Sequence, residues 1–221
     1  MDDFPGPASN IRRLGIMGGS FDPVHYAHLI VAETVREALG LDLVLFVPAG
    51  VQPLKRGQAV ASVEDRVAMV QSAIEGNPRF ALSRVDVDRP GPSYTVDTLR
   101  LLREEWGGPE RVGMWLILGS DALMQFLKWR DPEGIIAQAR LAVVQRPGVP
   151  VDTSRVNAEL LQLSAALDPV EAPLIDISAT DIRRRVAQGL SIRYRVPEPV
   201  RLYIEAHGCY KSQNKSNKTT S

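Results

Sequence analysis

Two of the three histidines in this 221-residue chain, His25 and His28, stand three positions apart, just downstream of Gly18-Gly19-Ser20. On a helix that spacing brings both imidazoles to one side. Ring N–H groups, a serine hydroxyl and glycines that let the backbone approach closely are donors suited to phosphoryl oxygens. A second group of the same character lies far downstream, where Ser178 and Thr180 precede Ile182 and Arg183. There N–H groups, hydroxyls and a guanidinium converge on the start of a predicted helix and on one anion. Between the two stand Gly119 and Asp121, and a carboxylate there accepts from a ribose hydroxyl or simply caps a helix. Arg146 and Lys55 are loop cations, each a candidate phosphate ligand, Lys55 equally a solvated lysine.

The elements that must position these residues repeat one unit: apolar run, breaker turn, helical pattern. Leu14, Ile16 and Met17 stop at the glycines, Asp22-Pro23 turns, and helical spacing runs from about Tyr26 through Leu29, Ile30 and Val31 to Gly40. Residues 43–47 are continuously apolar and halted by Pro48, as a strand buried on both faces requires. Ser62, with Asp65 three positions on, predicts the start of a helix whose apolar face is Val63, Val67, Met69, Val70 and Ile74. Residues 80–83 read as a third strand, and Ser93 or Thr95 as the cap of the next helix. Strands follow at 114–118, 141–145 and 174–177, with a surface helix over 154–167 and a loop and final helix over 189–210. The alternation predicts an α/β fold, a doubly wound Rossmann-like parallel sheet with a C-terminal helical segment. Open parallel sheets bind ligands beyond the carboxyl ends of their strands, so these glycine turns and polar strand ends should share one crevice.

Charge excludes some alternatives. Lysine plus arginine and aspartate plus glutamate balance at 26 each, so no general field draws the chain to nucleic acid or to a membrane surface. No apolar run approaches the ~20 residues needed to span a bilayer. The single cysteine, Cys209, cannot form an internal disulfide, which fits a cytoplasmic setting. Residues 1–10 and 211–221 read as a disordered leader and tail around one domain at 11–210.

The stretch Gly18-Gly19-Ser20-Phe21-Asp22-Pro23-Val24-His25 followed by His28 resembles the signature of the H-x-G-H nucleotidyltransferases, most closely that of the bacterial nicotinate-mononucleotide adenylyltransferases. Three further blocks are similar to that family: Ser93-Tyr94-Thr95 with Asp97 to Leu99, then Gly119, Asp121, Leu123 and Trp129, then Ile177-Ser178-Ala179-Thr180 with Ile182-Arg183. The chain departs from the pattern at Ala27 (usually glycine), Leu54 (usually histidine) and Ala179 (usually serine).

The resemblance implies a nucleotidyltransferase fold and transfer of the adenylyl group of ATP to nicotinate mononucleotide. It gives Gly18, Gly19, Ser20, His25, His28, Gly119, Asp121, Ser178, Thr180, Ile182 and Arg183 to ATP, with Ser20, His25, His28 and Arg183 catalytic. It gives Lys55, Tyr94, Thr95, Trp129 and Arg146 to the mononucleotide, with Trp129 over the pyridinium, where a plain core tryptophan is the alternative. Taken alone, Tyr94-Thr95 reads equally as an ordinary helix start. No carboxylate cage for a resident metal is apparent, so Mg²⁺ is expected to arrive on the ATP phosphates. Nicotinamide mononucleotide or phosphopantetheine as acceptor, and a non-catalytic nucleotide-binding module, stay open, as does the choice between monomer and homo-oligomer.

Overall fold

A computed structural model of the chain describes residues 10–50, 61–145, 148 and 163–211. The expected leader and tail, Lys55, Leu54 and Arg146 therefore lie outside the described residues, Asn10 and Lys211 excepted.

The apolar runs at 43–47, 80–82, 114–118 and 141–144 all fall in strands. β1 (Arg13–Gly19), β2 (Leu43–Pro48), β3 (Phe80–Leu82), β4 (Gly113–Gly119), β5 (Arg140–Gln145) and β6 (Leu167–Glu171) form one parallel sheet in the order β3-β2-β1-β4-β5-β6. Ile16 in β1 sits between Leu45 of β2 and Leu116 of β4. The chain winds outward from β1 through β2 to β3, then jumps back to start β4 on the other side. The gap between the carboxyl ends of β1 and β4 is thus the place where helices on neither face close the sheet over, and where such sheets take ligands.

Period-two alternation divides each strand between two cores. Leu14, Ile16, Leu43, Leu45, Val47 and Leu116 face the helices α3 (Thr95–Glu105), α4 (Ser120–Leu123) and α5 (Pro132–Gln138). Met17, Val44, Phe46, Trp115 and Ile117 face α1 (Tyr26–Ala38) and α2 (Val63–Ile74). That second face also carries the two helices after the sheet, α7 (Ala179–Ala187) and α8 (Glu198–His207), while a single turn, α6 (Leu163–Ala166), precedes β6.

Three expectations need correction. The last strand is β6 at Leu167–Glu171, not residues 174–177, which are irregular with Leu174 66 % exposed. β6 is an edge strand that buries only Val170 and carries Pro169, whose missing N–H is tolerated where one side of a strand has no partner. The surface helix expected over 154–167 is seen only as α6, and Leu167 already belongs to the strand; residues 154–162 lie outside the described residues. Neither Ser93 nor Thr95 caps α3. Tyr94 occupies that position with no side-chain cap, and the Ser93 hydroxyl instead accepts from the Gly50 N–H at 3.0 Å.

Candidate active site

The turn from β1 into α1 is anchored by an aromatic ring. Phe21 takes a left-handed φ of 49°, a conformation that costs a bulky residue energy and persists only where surroundings fix it. Here they do: its side chain is 2 % exposed and packs against Phe46 at 5.7 Å and edge-on to His28 at 5.1 Å between ring centroids. Ser20 and Gly18 are left facing outward on the open side. A Cβ built on Gly18 would meet no heavy atom within 4 Å, so this backbone is open to a ligand.

The two histidines divide into an inner and an outer ring. His25 caps α1 with extended backbone, and its N–H donates to Nδ1 of His28 at 3.2 Å. Because His28 Nδ1 accepts, the ring proton lies on Nε2, on the other edge of the ring, and His28 lines the cleft. The rings stack at 3.7 Å and 25°. His25 is buried, and burial lowers its pKa to about 4, so it stays neutral against its partner. Its Nδ1 has no hydrogen-bond partner among the described residues.

The second junction meets the first. Arg183, one turn into α7, donates through Nη1 to the Asp22 carbonyl at 2.7 Å and through Nη2 to the Thr180 hydroxyl at 3.3 Å. Asp22 is itself buried; its Oδ1 accepts from the Tyr210 hydroxyl at 2.7 Å and from the Ala61 N–H at 3.2 Å. Burial and the Asp22 carboxylate hold the Tyr210 phenol well above its ordinary pKa, so it remains a donor.

Both junctions open on one cleft of about 910 Å³. Of the residues singled out in the sequence, Gly18, Gly19, Ser20, His28, Gly119, Asp121, Thr180 and Arg183 line it. Tyr94, Thr95 and Trp129 line its other side, where Arg130 stacks over the Tyr94 ring at 4.7 Å. Three residues stand back from the wall. His25 lies behind His28; Ser178 spends its hydroxyl on the Asp181 N–H at 3.2 Å as the cap of α7; Ile182 is buried in the core with its N–H given to the Ser178 carbonyl at 3.1 Å. Ala27 lies within α1 on the cleft wall, without a left-handed backbone, so its methyl is accommodated there, and Ala179 lines the wall as well.

Several contributors were not anticipated. Asp86 is buried at the cleft wall; it accepts from the Thr98 hydroxyl at 2.7 Å and the Arg89 Nε at 3.0 Å, and burial raises its pKa. Arg89 in turn donates to the Pro92 carbonyl at 3.0 Å, which fixes the segment leading into α3. Arg66 sits on the α2 stripe with Val63, Val67 and Val70, a cation on an apolar face, and that misplaced charge was the available signal. Among the described residues no group of three or more histidine, cysteine, aspartate or glutamate side chains could hold a metal, and no helix is long and apolar enough to cross a membrane.

A parallel sheet of this order, with a glycine turn, His28 and an arginine-bearing helix start around one cleft, is the arrangement of a nucleotidyltransferase, and the relatives place the chain in that class. Residues 16–185 match the cytidylyltransferase-like family. Curated relatives narrow this further. The chain is 50 % identical over 198 residues to a probable nicotinate-nucleotide adenylyltransferase of Roseiflexus sp. (strain RS-1), covering 90 % of this chain and 98 % of the relative. It is 48 % identical to one from Thermomicrobium roseum, covering 91 % and 93 %. The chain belongs to the nicotinate-nucleotide adenylyltransferase family. The same fold is found in the Plasmodium falciparum nicotinic acid mononucleotide adenylyltransferase complexed with NaAD, with a TM-score of 0.71, 17 % identity, and coverage of 90 % of this chain and 97 % of that one.

Proposed function

We propose that the chain transfers the adenylyl group of ATP to nicotinate mononucleotide, giving nicotinate adenine dinucleotide and pyrophosphate. The observation that carries this is the meeting of His28 and Arg183 at one cleft whose opposite side is the Tyr94, Thr95 and Trp129 wall.

An oxygen of the mononucleotide phosphate attacks the α-phosphorus of ATP, and the bond from that phosphorus to the bridging oxygen breaks, with the electron pair leaving on pyrophosphate. The second pKa of a phosphate monoester is ~6, so the nucleophile is already largely dianionic at neutral pH and needs no general base. The chain's task is in-line placement and stabilisation of charge. In this reading the Gly18-Gly19 backbone, Ser20 and the His28 Nε2–H grip the α- and β-phosphates. Thr180 and Arg183 hold the departing pyrophosphate, and Asp121 accepts from a ribose hydroxyl. His25 fixes the His28 ring rather than touching substrate. Thr95, at the uncapped start of α3, meets the nicotinate carboxylate with helix N–H groups, a favourable place for an anion. Trp129 attracts the cationic pyridinium by ~0.5–2 kcal/mol. ATP enters as its magnesium complex. The setting we assign is the cytoplasm, in keeping with the single cysteine.

The test is pyrophosphate release measured in parallel with nicotinate mononucleotide, nicotinamide mononucleotide and phosphopantetheine. Turnover should be fastest with the first. Faster turnover with either of the others reassigns the acceptor, and ATP binding without turnover on any of the three makes the chain a nucleotide-binding module.

A further inference from the structure

A buried cation stands behind the phosphate turn, and its partners are carbonyl oxygens rather than carboxylates. Arg66 is 2 % exposed. Its Nη1 donates to the Ser20 carbonyl at 2.7 Å, and its Nη2 to the Ala49 and Gly50 carbonyls at 2.8 and 3.4 Å. Burial is the larger influence on its pKa and lowers it; the Asp22 carboxylate opposes that.

We propose that Arg66 is a positioning residue that turns the Ser20–Phe21 peptide so that its N–H faces the nucleotide phosphates. A trans peptide is planar, with its carbonyl and N–H pointing opposite ways. Among the described residues the only cis bond is Asp22-Pro23, so Ser20–Phe21 is trans. With the Ser20 oxygen drawn inward to Arg66, the Phe21 N–H points outward, to the side on which Ser20 and Phe21 line the cleft. That N–H has no acceptor among the described residues. Were the peptide flipped, a carbonyl oxygen would face the phosphates and repel them. The left-handed φ of Phe21 belongs to the same arrangement.

The other guanidinium nitrogen extends the effect across the cleft. It holds the chain at Ala49 and Gly50, just past β2, and the Gly50 N–H donates to the Ser93 hydroxyl beside Tyr94. One planar fork therefore sets the spacing between the phosphate turn and the wall assigned to the pyridine ring. A lysine, with its single compact ammonium, cannot span carbonyls on two loops in this way. The inference rests on the nucleotide reading of the cleft.

The experiment is calorimetric binding of α,β-methylene-ATP, which cannot donate its adenylyl group, to wild type, Arg66→Lys and Arg66→Met, with circular dichroism and a melt on each. Natively folded variants should bind the analogue ~10-fold or more weakly, the loss expected for one hydrogen bond to a charged group. Arg66→Lys should lose less than Arg66→Met. In wild type, the Phe21 amide proton should move downfield in NMR spectra when the analogue saturates the site. Native variants that bind as tightly as wild type overturn the proposal, and so does a Phe21 amide that stays still while neighbouring turn amides move. If both variants unfold, the amide shift decides alone. A wild-type protein that does not bind the analogue refutes the nucleotide reading and this inference with it, an outcome distinct from the others.

Discussion

Arg183 Nη1 donates to the carbonyl oxygen of Asp22 at 2.7 Å across 161 positions of sequence. This one bond joins the two strand-to-helix junctions that the sequence marks as anion sites, and it points the guanidinium at the phosphate turn before any ligand arrives. Arg183→Gln should lower pyrophosphate release ~100-fold, the usual loss when one donor to developing charge is removed. The folded state should persist by circular dichroism. Turnover near the wild-type rate would show that the guanidinium braces the turn and nothing more.

His28 is the histidine with an edge on the cleft. His28→Ala should reduce turnover ~100-fold or more without unfolding the protein, as measured by pyrophosphate release alongside a thermal melt. A variant as fast as wild type would remove His28 from the reaction.

His25 gives the fold a dependence on acid. Its pKa falls from 6.5 to about 4 on burial, so between those values the unfolded chain binds a proton that the native chain does not. Stability from this residue is therefore whole above pH 6.5 and is lost as the pH falls toward 4, by on the order of 3 kcal/mol. Denaturant midpoints for wild type should drop across that window more steeply than those of His25→Gln. Parallel slopes for the two proteins would contradict the assignment.

Two glycines of β1 separate folding from ligand approach. An added Cβ at Gly18 meets nothing within 4 Å, whereas at Gly15 it comes to 2.9 Å from Leu41 Cδ1 in the core. Gly18→Ala should keep stability within ~0.5 kcal/mol yet weaken ATP binding. Gly15→Ala should cost ~1–3 kcal/mol while the folded fraction binds ATP normally. Calorimetric titration beside urea unfolding reads both, and unchanged ATP affinity in Gly18→Ala would mean that the phosphates do not approach there.

The central strands could be read in advance because an unbroken apolar run such as Leu43 to Val47 has few other uses, and the short edge strand β3 because Phe80-Ala81-Leu82 follows the breakers at Gly76-Asn77-Pro78. β6 escaped because an edge strand needs neither apolar continuity nor every N–H. The apolar residues at 174–177 misled because β5 had already paired with Leu167–Glu171. At the site, the glycine turn, His28, Thr180 and Arg183 were legible from local spacing. Tyr210 was not, since its partner Asp22 lies 188 positions away. Arg66 left one trace, a cation on an apolar helix face, without showing the loop carbonyls it serves. Asp86 stands in a turn-rich stretch with no periodicity to mark it as buried. The cap of α3 was misread for a related reason: the Ser93 hydroxyl answers to Gly50, a residue of the loop across the cleft.

The hydroxyl that holds Asp22 comes from Tyr210, 188 positions downstream. During translation the first glycine turn therefore lacks the shorter of the two bonds to Asp22 Oδ1, the other coming from the Ala61 N–H, until nearly all of the domain has left the ribosome. A nascent chain stalled before Tyr210 can have its strands in order and still lack a finished seat for the nucleotide.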